Sequence, residues 1–497
     1  MSKVEKRYLR SFLEAFHVKG ENTAIKLLTI MERHPELGQD ELSLKLYGDP
    51  RSKAFLMLKG RLFERMMEVL SLSINLENNP VVRDDHAAYV AIEIQKQLAY
   101  AALLRRRGLN DLSQEVYHKC LKQAKASGFP EHELAALVGL RNIAVSHSPT
   151  EVKAFGLKIS ESLRAFETDL VASEVFDTFQ SYLLEAGGAY ESAAEYLDNN
   201  ISKVEEVLSN AYSPRGHYYH LILLISKHQA KREVDKAREA LQELIDLLEG
   251  NRGIASKDRL ASSYLRLAAL DLQAHQFEDG YRSARLAVDT FPPKKNNVVN
   301  ASTYLVFACL YRHQYEEAKQ VFKSLDFFRE RQRGGGSLEL ITYLESCMEY
   351  LMGNYRQAYD LIGDVQRVFS DKSGWNISLR IYEIMLLIDR NLQDLSSPKI
   401  ETLRKHMAKY HPAPRQEAMF RFLTLLERNS FRFDAFTPEM EQILTALTEE
   451  LEWSAVSPEV VRFDTWIRSH RLQIAFSILF AQDIEKINAA KSKVIPS

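Results

Sequence analysis

Two histidines have the clearest spacing for metal chemistry in this sequence. His217 and His220 stand three residues apart in RGHYYH, so a helix would present both imidazoles on one face. A structural zinc site needs four Cys, His or carboxylate ligands, and no neighbouring cysteine or carboxylate completes such a set here. The sequence therefore predicts two interface histidines near a helix start and no metal site.

Other candidates for chemistry are weaker still. His406 and His411 in HMAKYH are five residues apart, which suits neither face of a helix and favours histidines at loop ends. The carboxylates of LTEELEW (447–453) have no predicted cleft around them and indicate a solvated helix face. The sequence contains no Walker A, HExxH, GxSxG, EF-hand or Cys/His zinc pattern. We predict no catalytic residue, no cofactor and no enzyme activity, unless a cleft brings His and carboxylate groups together.

The composition is that of a folded, mainly helical protein. The 497 residues are 45% hydrophobic and 27% charged, and Gly (20) and Pro (14) are sparse, as expected for helices with few tight turns. The 65 basic and 67 acidic residues give a formal net charge of -2. Such a chain has no long-range field that would attract DNA, RNA or an anionic membrane. Nucleic acid is therefore not an expected partner.

The cysteines and the apolar runs indicate where the protein resides. Cys120, Cys309 and Cys347 are odd in number and show no CxxC spacing, which predicts reduced thiols that behave as small buried apolar side chains. The stretch MSKVEKRYLR lacks the apolar core of a signal peptide, and no apolar run approaches the roughly 18–20 residues that span a bilayer. We expect a cytoplasmic protein without a membrane partner.

One side-chain pattern recurs five times along the chain. In RHQYEEAKQVFKSL it consists of Tyr315, Ala318 and Phe322, which share one helix face because they occupy positions i, i+3 and i+7. The small residue in the middle allows a neighbouring helix to cross closely. An apolar helix and a short polar turn precede the copies, so each unit is predicted to be a helix hairpin. At intervals of 44, 43, 38 and 40 residues, the small residues are Ala193, Ala237, Gly280, Ala318 and Ala358.

These hairpins resemble tetratricopeptide repeats (TPR). The best match runs from Tyr264 to Pro292, with Phe277 opening the second helix and Gly280 and Ala287 at small-residue positions. The motif's tryptophan is absent, and the period exceeds the usual value of about 34 residues. The resemblance implies an all-α fold, a right-handed α-solenoid of TPR-like helix hairpins with an N-terminal helical module and a C-terminal capping helix. The layout is similar to that of long uncharacterised bacterial TPR-like proteins.

The sequence divides into four expected stretches. They are an N-terminal helical module over 1–80, helical hairpins over 81–170, TPR-like repeats over 171–370, and degenerate hairpins with a cap over 371–497.

Two local signals mark a loop and the cap. A flexible loop is predicted at RERQRGGGSLE (329–339), where three consecutive glycines disfavour a helix. A final helix is predicted over 457–487, with Ser457 as its N-cap and Pro458 at its first position.

The N-terminal module allows two interpretations. Residues 21–70 predict three helices with a tight turn at YGDPRS, an arrangement that resembles a helix-turn-helix DNA-binding module. On the third helix Arg61 and Arg65 fall beside two glutamates, and Lys59 lies at the apolar flank. Because a DNA-reading face needs its positive charges together, the pattern favours a helical capping bundle.

The TPR resemblance also indicates a binding surface. In that family, inward-facing residues of the first helices line a groove that holds a peptide or a partner helix. Packing between helices is the competing interpretation for each position that matches them. By that resemblance the partner-binding residues are Tyr182, Asn300, Thr303, Tyr343 and Arg380.

We therefore expect a non-catalytic scaffold or adaptor for protein–protein interaction, with a protein or peptide as its partner. The sequence leaves open a homo-oligomer. The alternative is a ligand- or peptide-responsive transcription regulator in which residues 21–70 bind DNA, a combination found in bacterial TPR regulators.

Overall fold

The computed structural model describes residues 3–15, 23–73, 86–185, 190–251, 253–292, 296–331, 336–365 and 371–492. These residues are mainly α-helical and contain no β-strand, which confirms the predicted all-α solenoid of hairpins. The chain divides into two compact units, Met1–Ile159 and Ser160–Ser497. The centre of the predicted glycine loop, 332–335, lies outside the described residues.

The first unit contains seven helices among its described residues and the start of an eighth. They are α1 (Lys3–Ala15), α2 (Thr23–Arg33), α3 (Gln39–Tyr47), α4 (Lys53–Ser73), α5 (His86–Arg106), α6 (Asn110–Ser127), α7 (Pro130–Ala144) and α8 (Pro149–Glu185). The division between the units falls inside α8.

Helices α2, α3 and α4 confirm the three helices predicted over 21–70. Helix α3 ends at Gly48, whose φ of 71° is the left-handed conformation that favours glycine. The Ser43 hydroxyl donates to the Asp49 carbonyl oxygen at 2.6 Å and fixes the turn. Helix α4 buries Phe55 and Leu62 against α1–α3, so this module has its own small core.

Helices α5, α6 and α7 pack around a second core in the first unit. Gly108 forms the turn between α5 and α6, with a φ of 79°. Helices α6 and α7 pack together where the Tyr117 ring lies against Gly139. A Cβ atom on Gly139 would lie 2.3 Å from that ring, so only glycine fits there.

The second unit is a series of hairpins followed by two terminal helices. After α8 come α9 (Tyr190–Asn210), α10 (Pro214–Ala230), α11 (Val234–Gly250), α12 (Lys257–Gln273), α13 (Phe277–Thr290), α14 (Asn297–Tyr311), α15 (Tyr315–Ser324), α16 (Asp326–Arg331), α17 (Gly336–Leu351), α18 (Tyr355–Val365), α19 (Gly374–Asp389), α20 (Gln393–Met407), α21 (Pro414–Arg428), α22 (Pro438–Thr445), α23 (Phe463–Leu472) and α24 (Phe476–Ser492). A π-helical turn, Ala446–Glu450, continues α22.

Five hairpins in the described part of the second unit share one turn geometry. In each, the residue two positions before the second helix has a positive φ, and the next residue donates its N–H to the carbonyl five positions earlier. In the turn before α13, for example, the Gln276 N–H donates to the Asp271 carbonyl at 2.8 Å. This is the Schellman arrangement, which satisfies the last carbonyls of the first helix. The positive-φ residues are Arg232, His275, His313, Gly353 and Asn391.

The small residues lie where hairpin helices cross, as predicted. Ala237, Ala318 and Ala358 have no exposed surface. A Cβ atom on Gly280 would lie 2.9 Å from Cγ of Leu272 on the preceding helix. The side chain of Ala193 lies outside the described residues. Larger side chains at these positions would hold the helix axes apart.

The C-terminal end differs from the expected single helix over 457–487. Residues 451–462 are non-helical, α23 begins at Phe463, and Gln473 breaks the helix with a φ of 52°. The predicted N-cap at Ser457 is therefore wrong. The cause is long-range, because the backbone around Pro458 is held by contacts with earlier helices.

The cysteines agree with the expectation of small buried side chains. All three are buried free thiols. Burial raises the pKa of Cys120 to about 11 and that of Cys309 to about 12, so both stay protonated at neutral pH. Over the described residues, none of the helices combines the length and apolarity that crossing a membrane requires.

The crossing residues lead to a stability prediction. We expect Ala318→Leu to destabilise the second unit by about 1–3 kcal/mol, because the added side chain overpacks the α14–α15 crossing. Gln320→Leu, on the exposed side of α15, is the matched control and should leave the melting temperature nearly unchanged. The measurement is thermal unfolding by circular dichroism. Equal melting temperatures for both variants would contradict close helix crossing at Ala318.

Candidate functional site

The first helices of the later hairpins hold a non-helical stretch of the same chain. We call residues 451–462 the C-terminal segment. The Tyr311 hydroxyl on α14 donates to the Ala455 carbonyl oxygen at 2.6 Å. The Tyr343 hydroxyl on α17 donates to the Pro458 carbonyl oxygen at 2.8 Å. Two successive hairpins thus bind backbone atoms of the segment, as a peptide-binding surface would.

Trp453 anchors the start of the C-terminal segment. Its indole stacks on the His275 ring with centroids 5.2 Å apart, and it meets the Tyr311 ring edge-on at 5.6 Å. The Arg462 guanidinium lies 4.8 Å from the indole centroid. The indole N–H donates to the Glu459 carbonyl at 2.9 Å, so the buried nitrogen has a partner.

A buried charge network fixes the other end of the segment. Arg415 on α21 makes two hydrogen bonds with the Glu459 carboxylate, from Nε at 2.6 Å and from Nη2 at 2.7 Å. Its Nη1 donates to the carbonyls of Leu447 and Leu451. Burial opposes charge on Arg415, but the hydrogen bonds and charge of Glu459 outweigh it and raise the pKa of Arg415. Asp464 bridges Arg415 to Arg462.

Asp389 on α19 joins the hairpins to α23. Its carboxylate accepts the Tyr350 hydroxyl at 2.7 Å and the Trp466 indole N–H at 3.1 Å, and Nε2 of His470 lies 2.5 Å from its Oδ1. The Phe433 ring stacks on His470 at 4.2 Å. The carboxylate is shared among three partners and the imidazole is covered by an aromatic ring. This arrangement stabilises the packing of α23 against α19.

Two of the five sequence-predicted binding residues are buried. Thr303 is 4% exposed, and its hydroxyl donates to the Val299 carbonyl within α14. Tyr343 is 2% exposed and binds Pro458, and burial raises the pKa of its phenol well above the ordinary value. In this structure neither side chain offers surface to a partner. For Tyr343 the reason is its contact with the chain's own C-terminal segment.

The other three predicted residues reach the surface at separate places. Tyr182 on α8 is 46% exposed, and its ring packs against Tyr196 of α9 at 5.0 Å. Asn300 on α14 is exposed. Arg380 on α19 is half-buried at the edge of a cleft between α19 and α20. The five residues therefore do not form one continuous site.

The histidines of the predicted interface pair lie side by side on α10. The rings of His217 and His220 stack with centroids 6.3 Å apart. Each faces a different glutamate: Nε2 of His217 lies 3.1 Å from Glu243 and Nε2 of His220 lies 3.5 Å from Glu205. Burial lowers the pKa of His220. No group of three or more metal-ligating side chains occurs in the described part of the chain.

Sequence reasoning missed a second aromatic group beside these histidines. Tyr212 is 61% exposed in the connection between α9 and α10, and its ring meets His217 edge-on at 5.8 Å. The connection is rigid, since the Thr168 hydroxyl donates to the Ala211 carbonyl at 2.9 Å and the Arg215 Nε donates to Asp169 at 2.9 Å. A loop tyrosine has no helical period, so the repeat pattern contains no signal for it.

The exposed surface of α4 is apolar as well as charged. Leu56, Phe63 and Met67 are each more than half exposed on one side of the helix. Lys59 donates to the Gln39 side chain at 2.6 Å, and the Arg65 guanidinium lies 5.8 Å from the Phe12 ring centroid. Two of the basic side chains on this helix are thus engaged within the module.

Comparisons with known proteins find similarity among solved structures alone. No protein-family model matches the sequence, and no curated protein matches it either. Among solved structures, the fold is similar to that described as the apo form of the quorum sensor NprR from B. thuringiensis. The two share 12% sequence identity with a TM-score of 0.46, over 80% of this chain and 97% of that chain.

The role of the buried tyrosine can be tested by removing one hydroxyl. We expect Tyr343→Phe to destabilise the second unit by about 0.5–1.5 kcal/mol, because the partly buried Pro458 carbonyl loses its donor. Tyr182→Phe removes an exposed hydroxyl and should change stability little. Chemical denaturation of both variants checks the difference. A Tyr343→Phe protein as stable as the parent would show that this hydrogen bond does not hold the segment.

Proposed function

We propose that the protein is a non-catalytic scaffold or adaptor that binds a protein or peptide partner on the hairpins that precede α14. The observation that carries this proposal is the pair of hydrogen bonds from Tyr311 and Tyr343 to backbone carbonyls of the C-terminal segment. First helices of this array hold a non-helical stretch of polypeptide through tyrosine hydroxyls. Contacts to backbone carbonyls of this type can hold a chain with little regard to its side chains.

An external partner needs tyrosines that the chain's own C-terminal end does not cover. Tyr311 on α14 and Tyr343 and Tyr350 on α17 contact the chain's own C-terminal end. Earlier in the same unit, Tyr182 and Tyr212 are exposed. Tyrosine is a favoured anchor in protein interfaces, because it buries a large rigid area and carries a hydroxyl. We therefore assign partner binding to α8, α9 and α10.

We propose no catalytic role for the protein. The surroundings of His470 and Asp389, a histidine and a carboxylate in close contact, support this. His470 packs against Phe433 and Trp466, and the Asp389 carboxylate already accepts hydrogen bonds from Tyr350 and Trp466, so this pair is engaged in packing α23 against α19. A general base must come within hydrogen-bond reach of the proton it removes.

The alternative function, a transcription regulator, requires α4 to bind DNA. Its exposed large apolar side chains include Leu56, Met57, Phe63 and Met67, which suit an apolar partner better than a phosphate backbone. We therefore favour the adaptor function over the function of a DNA-binding regulator. A gel shift with random duplex at low salt separates them, since clear and salt-sensitive retardation would favour the regulator.

Affinity capture with mass spectrometry tests the adaptor directly. The full chain is used as bait in an extract of its native cell, where we propose that it resides in the cytoplasm. We expect reproducible enrichment of a protein partner by the parent chain. The double variant Tyr182→Ala with Tyr212→Ala should lose most of that enrichment, because both exposed anchors are removed.

The matched control is Tyr100→Ala, which removes a similarly exposed tyrosine from α5 in the other unit. It should retain the partner. Failure of the parent chain to enrich any protein would contradict the adaptor function. Enrichment that the double variant keeps would contradict the assignment to α8–α10.

A further inference from the structure

A cleft between α19 and α20 is lined by positive charge. It has a volume of about 420 Å³, which is within the range of small-molecule sites. Four cationic side chains line it and no carboxylate does, although acidic residues slightly outnumber basic ones in the whole chain. The four cations are Lys372, Arg380, Lys405 and Lys409.

Arg380 is positioned for recognition. Its Nε donates at 2.8 Å to Oδ1 of Asn376, one helical turn earlier on α19, and Asn376 is only 3% exposed. This contact orients the guanidinium and leaves Nη1 and Nη2 without a protein acceptor at hydrogen-bond distance in the described part of the chain. Two parallel N–H donors match the oxygen atoms of a phosphate or a carboxylate.

His406 connects the two sides of the cleft. Its Nε2 lies 2.7 Å from the Lys372 carbonyl oxygen, so the imidazole on α20 holds the residue that precedes α19. Burial and the positive charges of Arg380, Lys372 and Lys409 lower the pKa of His406, although the contact with the Lys372 carbonyl opposes them. A neutral histidine is thus surrounded by cations.

The nearest acidic groups are engaged elsewhere. Asp371 accepts backbone N–H groups from Ser373, Gly374 and Trp375, which caps the start of α19. Glu401 binds Arg404 at 2.5 Å and lies 3.8 Å from Lys405. Glu401 therefore offsets part of the positive charge of the cleft through its ion pair with Lys405.

We propose that this cleft binds a small phosphate-bearing anion of charge -2 or more, with Arg380 as the bidentate contact and the three lysines as neutralising charges. A single carboxylate would balance only one of the four cations, whereas a diphosphate brings several charged oxygens into the same volume. The site is separate from the α8–α10 surface. The proposal therefore does not depend on the proposed adaptor function.

Isothermal titration calorimetry of the full chain with pyrophosphate tests the site. We expect saturable binding that weakens as salt is added, because the attraction is electrostatic. Arg380→Gln should weaken binding by about tenfold or more, since a hydrogen-bonded charged contact is lost. Arg380→Lys keeps the charge without the fork and should have an intermediate affinity.

The matched control is Arg404→Gln, which removes a cation from the same hairpin but outside the cleft, and it should bind within about twofold of the parent chain. Citrate provides a polycarboxylate of similar charge and should bind more weakly. If Arg380→Gln fails to fold by circular dichroism, the exposed substitution Lys409→Gln replaces it, with the same expected direction.

Three results would overturn the proposal. The first is no saturable binding of pyrophosphate by the parent chain at low salt. The second is binding that neither Arg380→Gln nor Lys409→Gln weakens. The third is citrate binding as tight as that of pyrophosphate, which would remove the assignment to phosphate.

Discussion

Close helix crossing at small side chains is the constraint on which the second unit depends. Ala237, Gly280, Ala318 and Ala358 each stand three residues into a second helix and are buried against the helix before it. The left-handed residue two positions ahead of that helix reverses the chain with its last carbonyls satisfied. The turn and the helix crossing together fix the geometry of each hairpin. Because the hairpins repeat, the first helices of successive hairpins lie side by side.

That alignment explains how tyrosines far apart in sequence act on one segment. Tyr311 and Tyr343 belong to successive hairpins and bind carbonyls only three residues apart in the C-terminal segment. Arg415, Glu459 and Asp464 then bury charge in the same region. A buried ion pair costs stability unless its hydrogen bonds are complete. Here the Arg415 guanidinium is shared among Glu459, Asp464 and two backbone carbonyls, so the network also specifies one path for the segment.

The parts of this structure that depend on local pattern could be predicted from sequence. Second helices begin at Tyr315 and Tyr355, as the repeat indicates, because helix faces and turns are set by neighbouring residues. Ser396 occupies the same crossing position in α20 and is fully buried, but it was missed because polar Gln393 stands where other copies have a bulky residue. The burial of Thr303 and Tyr343 could not be foreseen. For Tyr343 it results from a segment more than a hundred residues away.

Amide hydrogen exchange of residues 451–462, followed by mass spectrometry in the full chain, tests the central claim most directly. The claim is that this non-helical segment is held against the first helices by buried tyrosine, tryptophan and arginine contacts. The account predicts that the amides of Leu451, Ser457 and Glu459, whose N–H groups have hydrogen-bond acceptors, exchange orders of magnitude more slowly than those of an exposed chain. Exchange as fast as that of an unfolded peptide would contradict it.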